Sequence, residues 1–97
     1  MKKAHTVIAR IEARKESIEL VKAELLKLIE PTRKEEGCIQ YDLHQDKERP
    51  EVFFFYENWV SRELLQTHLA NTHIAEYARA VDGHIVSFTL NELTRIA

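Results

Sequence analysis

From Ala4 to Glu12 apolar and polar residues alternate, with His5, Val7, Ala9 and Ile11 on one side and Thr6, Ile8, Arg10 and Glu12 on the other. Such a period puts successive side chains on opposite faces and predicts a strand. The spacing lengthens after Ser17. Ile18, Val21, Leu25, Leu28 and Ile29 then recur as one apolar helical stripe. Pro31 has no N–H and clashes with the turn before it, so the helix is expected to kink or restart there. Gly37 is a candidate C-cap for that element. Alternation returns from Cys38 to Gln45, with Ile39, Tyr41 and Leu43 against Gln40, Asp42 and His44. The polar run Asp46 to Pro50 reads as a hairpin loop, and Val52 to Trp59 as the third strand.

Ser61 is placed to cap a short helix bearing Leu64, Leu65, His68 and Leu69 on one face. Asn71 and Thr72 are expected to break it. A further helix carries Ile74, Tyr77, Ala78 and Val81 and stops at Asp82-Gly83, and His84 to Leu93 closes the chain as a strand. The order is β-α-β-β-α-β. It predicts an α+β, ferredoxin-like fold: a four-stranded antiparallel sheet with helices on one face. The third strand adds a demand. Val52, Phe54 and Tyr56 point one way, Phe53, Phe55 and Trp59 the other, so both faces ask for burial. Helices of one chain cover one face only. A second copy packed sheet to sheet, a homodimer, is the economical cover for the other.

Composition narrows the class. At 97 residues the chain is read as a single domain, residues 1–97. Apolar residues at 44% and charged residues at 31% describe an ordinary globular protein. A net charge of −2 offers no basic footprint, which argues against a nucleic-acid partner. No apolar stretch approaches the ~18 residues that span a bilayer, and the basic start Met1-Lys2-Lys3 lacks the long apolar region of a signal peptide, so no membrane association is expected. The single cysteine, Cys38, excludes an internal disulfide and fits a reducing, cytoplasmic setting.

Polar groups crowd the greasiest segment. Glu57 shares a strand face with Phe55 and Trp59, His68 lies on the apolar side of its helix, and His73 falls near the start of the next. A helix N-terminus disfavours the imidazolium, and a histidine held neutral can accept a proton. Metal chemistry is not expected. His68 and His73 are not the i, i+4 pair of a helical zinc site, and there is no cysteine cluster. No glycine-rich phosphate loop suggests a nucleotide or flavin. Cys38 reads as core filling, and His5, His44 and His84 lie on strands, His44 within possible reach of a cavity.

Glu35-Glu36-Gly37-Cys38-Ile39-Gln40-Tyr41-Asp42-Leu43, then Asp46, Pro50, the aromatic strand, Glu57-Asn58-Trp59, His68 and His73 resemble the antibiotic biosynthesis monooxygenase family, closest to its small bacterial quinol monooxygenase branch. The resemblance covers almost the whole chain. It implies a ferredoxin-like fold, a dimer joined through its sheets and a pocket between sheet and helices. It also implies oxidation of quinols or other hydroxylated aromatics by O2 with neither metal nor flavin. Glu36 stands where many relatives have proline. Tyr77, Ala78 and Arg79 stand near the place of the haem-ligating histidine of haem-degrading members, and His68 near their tryptophan, so haem degradation is not expected.

The implied chemistry needs a base, an apolar cage and a donor to a developing oxyanion, because a deprotonated phenol is electron-rich enough to reduce O2 itself. His73 or His68 is the candidate base and Glu57 its orienting partner. Tyr41, Trp59, Asn58, Phe55 and His44 are candidate substrate contacts. The same groups would serve an isomerase or lyase of a small carbonyl compound, such as the phosphorylated autoinducer-2 sugar handled by a similar branch. A non-catalytic ligand-binding module also stays open.

Overall fold

The first strand, β1 (His5–Ala13), buries Val7, Ala9, Ile11 and Ala13 and leaves the alternate residues half-buried, as its period requires. The computed structural model describes residues 4–97, so Lys2 and Lys3 of the basic start lie outside the described residues. After a single turn of 3-10 helix (Lys15–Ser17) come α1 (Ile18–Leu26) and α2 (Ile29–Arg33). The restart is therefore at Ile29, ahead of Pro31. The proline occupies the first turn of α2, where an N–H would have no helical acceptor in any case.

Gly37 is not the cap of this helix, because α2 already ends at Lys34. With φ of 85° the glycine is the third residue of a turn closed by the Cys38 N–H on the Glu35 carbonyl at 3.2 Å. Its own carbonyl accepts from the Val60 N–H at 2.8 Å. A Cβ here would run into the Leu64 side chain, 2.9 Å from Leu64 Cβ. Both the backbone and the space thus select glycine.

β2 (Cys38–Gln45) and β3 (Val52–Trp59) have the expected ends. Between them Asp46 accepts the Glu48 and Arg49 N–H groups, each at 2.9 Å, which makes the hairpin an Asx turn. One expected face fails. Pairing steps from Cys38–Trp59 to Gln40–Asn58, leaving Ile39 as the extra residue of a bulge and 58% exposed. Ile39 therefore does not join Tyr41 on the buried side.

Ser61 caps α3 (Arg62–Leu69), its Oγ accepting from the Leu64 N–H at 3.2 Å. Asn71 both ends that helix and caps the next, α4 (Thr72–Ala80), by accepting the Thr72 N–H at 2.7 Å. Thr72 is thus the first residue of a helix and not a breaker. The chain turns at Gly83, with φ of 83°, and closes with β4 (Ile85–Leu93), just after His84.

The sheet order is β2-β3-β1-β4, every neighbouring pair antiparallel. This is the ferredoxin-like α+β fold, with each helical crossover split into two pieces. Val7, Ile11, Tyr41, Phe53, Phe55 and Trp59 from the sheet meet Val21, Leu25, Leu28, Leu65 and Val81 from the helical layer in one core. The opposite face carries Ile8, Phe54 and Tyr56 beside a polar chain from Thr6 to Asn58 (2.6 Å), Gln40 (2.9 Å) and Asp42 (2.8 Å). Among the described residues no helix is long and apolar enough to cross a membrane.

Candidate active site

Between sheet and helices lies a cavity of about 90 Å³. Ala9, Ile11, Phe55, Phe88 and Leu90 floor it, Leu25, Leu28, Leu69 and Ile74 roof it, and its polar wall is Tyr41, Glu57, His68 and Tyr77. Among the described residues no lysine or arginine lines it. Ile11, Leu69, Ile74, Tyr77 and Phe88 also wall a second, apolar groove of about 420 Å³, which runs on past Val81 and Gly83. The inner space alone falls short of the roughly 300 to 1,000 Å³ typical of a small-molecule site. Groove and cavity together reach that range.

Alternation along β3 sets Phe55, Glu57 and Trp59 toward the helices, and all three are at most 3% exposed. Glu57 has one protein donor, the Trp59 indole N–H at 2.9 Å. Burial pushes its carboxyl up to about 7, the indole bond opposes this, and nearby Glu35 adds to the rise. Tyr41 stacks on Phe55 with ring centroids 4.4 Å apart. Burial, with Glu57 second, drives its phenol well above the ordinary range, and burial pushes that of Tyr77 up to about 12. At neutral pH both phenols therefore keep the proton and can donate it in a hydrogen bond.

His68 is 2% exposed and wedged between aromatic rings, 4.7 Å from Trp59 and 5.5 Å from Tyr41 by centroid. Its Nδ1 donates to Glu35 Oε2 at 2.7 Å. The same oxygen lies 3.1 Å from His73 Nε2, which also meets the Thr32 hydroxyl at 3.0 Å. Burial lowers the His68 pKa and outweighs the opposing pull of Glu35, with His73 adding to the fall. A neutral His68 held through Nδ1 leaves Nε2 as its free basic atom.

The structure brings His68, Glu57, Tyr41, Trp59 and Phe55 together, with Trp59 fully buried behind the carboxyl and the imidazole. His73, the second residue of α4, closes on His68 at 6.0 Å by centroid because the chain breaks between α3 and α4. It lines an outer cleft with Glu24, Lys27 and Glu76 and not the cavity itself. Asn58 and His44 do not join the group. Both fall on the opposite sheet face, where Asn58 bonds Thr6 and Gln40 and His44 is exposed beside Phe54. Among the described residues Glu57 forms no hydrogen bond or ion pair with either histidine. The carboxylate that does is Glu35, which no spacing rule singled out because it sits in the turn before β2. Its signal was the adjoining Gly37, which fixes that turn.

Glu35, His68 and His73 also present three donor atoms within 4.8 Å of one another, a set no i, i+4 rule would find. The 2.7 Å contact between His68 and Glu35 is shorter than the roughly 3.3 Å between two ligands of a tetrahedral ion with bonds of 2.0 to 2.1 Å, and is the length of a hydrogen bond. Cys38 is half-buried against the core, and burial together with Glu35 and Glu57 holds its thiol protonated. His5 and His84 are occupied elsewhere, with Glu92 at 2.7 Å and Ser17 at 2.8 Å.

With this geometry in place the chain can be set beside known proteins. Residues 4–80 match the antibiotic biosynthesis monooxygenase family, and the protein belongs to that family. It is 36% identical over 81 residues to the Mycobacterium tuberculosis protein named "Putative monooxygenase Rv0793", covering 84% of this chain and 78% of that one. The solved structure of that protein superposes with a TM-score of 0.89 at 27% identity over 98% and 97% of the two chains. PA3566 from Pseudomonas aeruginosa is similar at a TM-score of 0.94 and 33% identity, over 100% of this chain and 98% of its own.

Proposed function

We propose that this protein is a cofactor-independent monooxygenase that oxidises a quinol-like or hydroxylated aromatic molecule with O2. The observation that carries the proposal is the composition of the cavity wall: a buried neutral imidazole, a buried carboxyl raised to about 7 and two phenols set in an otherwise apolar cage. His68 Nε2 takes the phenolic proton of the substrate. The electron-rich anion then reduces O2, and Tyr41 or Tyr77 donates to the oxyanion that forms. The aromatic ring occupies the outer groove and its reacting edge the inner cavity, which is large enough for O2 but not for the ring. For a hydroquinone the balance is one quinol plus O2 giving one hydroxyquinone plus water. All the electrons come from the substrate, so no second reductant enters.

That no lysine or arginine among the described residues lines the wall weighs against a phosphorylated sugar as the substrate. We also read the sheet face bearing Ile8, Phe54 and Tyr56 as the contact of a homodimer, since these apolar groups sit on the side away from the helices. Oxygen uptake and 18O2 labelling with a panel of hydroquinones and catechols test the activity. One labelled oxygen atom per product, unchanged by chelator, is expected. Uptake no faster than spontaneous oxidation for the whole panel, or activity lost with chelator, would sink the proposal.

A further inference from the structure

We propose that Glu35 is a positioning residue that links His68 to His73 and makes the pair a proton conduit between the inner cavity and the outer cleft. The inference rests on the catalytic reading above for its purpose, but not for its geometry. His68 lines the cavity and is 3% exposed at its side chain, whereas His73 is 17% exposed at its side chain and lines the cleft. Neither Glu35 nor His73 reaches the cavity. One carboxylate oxygen, Glu35 Oε2, stands 2.7 Å from His68 Nδ1 and 3.1 Å from His73 Nε2, so a single atom joins the inner ring to the outer one.

The path is continuous. A substrate proton bonds to His68 Nε2, and the proton already on Nδ1 passes to Glu35 Oε2. It moves on to His73 Nε2 when that ring is the Nδ1–H tautomer, and the Nδ1 proton leaves to water in the cleft. Each transfer breaks one bond to hydrogen and makes one, and the net result is one proton moved outward. When reduced oxygen in the cavity needs a proton, His68 Nε2 supplies it and the chain refills Nδ1 by the same atoms in reverse. Buried Thr32 touches His73 Nε2 at 3.0 Å and holds that ring facing Glu35. The other titratable groups on the cavity wall are Tyr41 from β2, Glu57 from β3 and Tyr77 from α4, which also lines the cleft; among the described residues none of the three hydrogen-bonds to Glu35 or His73.

Solvent exchange of the His68 Nδ1 proton tests this without any substrate, so its outcome is separate from that of the monooxygenase assay. In protein carrying 15N-labelled histidine, the exchange rate is read by NMR for wild type, Glu35→Gln and His73→Gln. Glutamine keeps an acceptor for His68 Nδ1 but cannot carry a proton, and His73→Gln removes the outlet. Exchange then requires local opening, and both variants are expected to exchange at about a tenth of the wild-type rate or slower. An unchanged or faster rate in either folded variant would overturn the conduit. If Glu35→Gln does not fold, His73→Gln decides alone.

Discussion

Alternate residues of β3 face two different environments. Phe55, Glu57 and Trp59 look into the helical layer, and the two polar groups among them satisfy each other through one bond of 2.9 Å. Phe54, Tyr56 and Asn58 look the other way. Asn58 there sits in a chain of amides, hydroxyl and carboxylate, and Tyr56 is 38% exposed. A buried carboxyl with a single donor is costly, whereas a surface amide with two partners is cheap. The difference teaches where to look for chemistry. The inner face retains a polar group that packing alone would replace, and the outer face holds polar groups that any sheet surface tolerates.

Trp59→Ala should widen this contrast most. It removes a fully buried indole and the only donor to Glu57 among the described residues, and is expected to cost about 3–5 kcal/mol in denaturant unfolding. On the outer face Tyr56→Ala should cost about 1 kcal/mol or less within the protomer. Its main effect should fall on the proposed sheet-to-sheet dimer, read as a higher dissociation constant in light scattering, because it removes an apolar group from that face. Equal losses from the two substitutions would erase the distinction between the faces.

The next largest effect is a dependence on pH. The folded carboxyl of Glu57 lies near 7, above its ordinary 4.5, so the folded state holds a proton that the unfolded chain has lost between these values. Stability from this group is present in full below about 4.5 and lost as pH rises through about 7, a change on the order of 3 kcal/mol. His68 works in the opposite sense below its ordinary 6.5, because its folded pKa is lowered. The comparison is therefore made between wild type and Glu57→Gln at pH 5 and pH 8. The variant should gain on wild type as pH rises, and parallel curves would show that Glu57 ionises freely.

On activity, His68→Ala should lower kcat by about 10²-fold or more, the usual worth of a general base, in oxygen-uptake assays with a hydroquinone that wild type oxidises. Loss of melting temperature should accompany it, because the ring is wedged against Trp59 and Tyr41. Full turnover in a folded His68→Ala protein would remove the histidine from the chemistry.

The strands were the legible part of this fold. Period two survives wherever one face is buried, and β2 and β3 begin and end where the pattern placed them. Ile39 misled because a bulge changes parity without changing composition. The first helical crossover was legible in its stripe and not in its break, whereas the break of the second fell at Asn71 as the sequence indicated. Nothing near Lys27 or Leu28 advertises a restart, since Pro31 is accommodated inside the new helix. In the site, residues on regular elements could be read from their faces, as with Glu57, Trp59 and His68. Glu35 could not, because a turn has no period. Asn58 was the converse case, in which the strand parity that turned Glu57 inward had already turned its neighbour out.

Gly37 tests the hidden part of that comparison, since it fixes the turn from which Glu35 reaches the histidines. Gly37→Ala forces a Cβ into a positive-φ position and against Leu64, and should cost about 2 kcal/mol. A shift in the His68 imidazole resonance should come with it, because the 2.7 Å bond depends on the turn. An undisturbed His68 signal would mean that Glu35 is held by its histidines and not by the turn.

The smallest effects are expected on the outer face, where sequence reasoning had placed two candidate substrate contacts. Asn58→Ala removes one bond to Thr6 at 2.6 Å and one to Gln40 at 2.9 Å, in a setting that water can enter. Its partners can rebond to solvent, so the loss should be about 1 kcal/mol or less. His44→Ala should change stability by less than about 0.5 kcal/mol, since the ring is exposed. For both variants kcat and KM should stay within about twofold of wild type, because the sheet separates them from the cavity and a shift of that size is below 0.5 kcal/mol. Steady-state oxygen uptake on the two proteins decides it. A tenfold fall in kcat for His44→Ala with unchanged folding would mean that the opposite face of the sheet contributes to a site, and the division between an inner chemical face and an outer structural one would have to be abandoned.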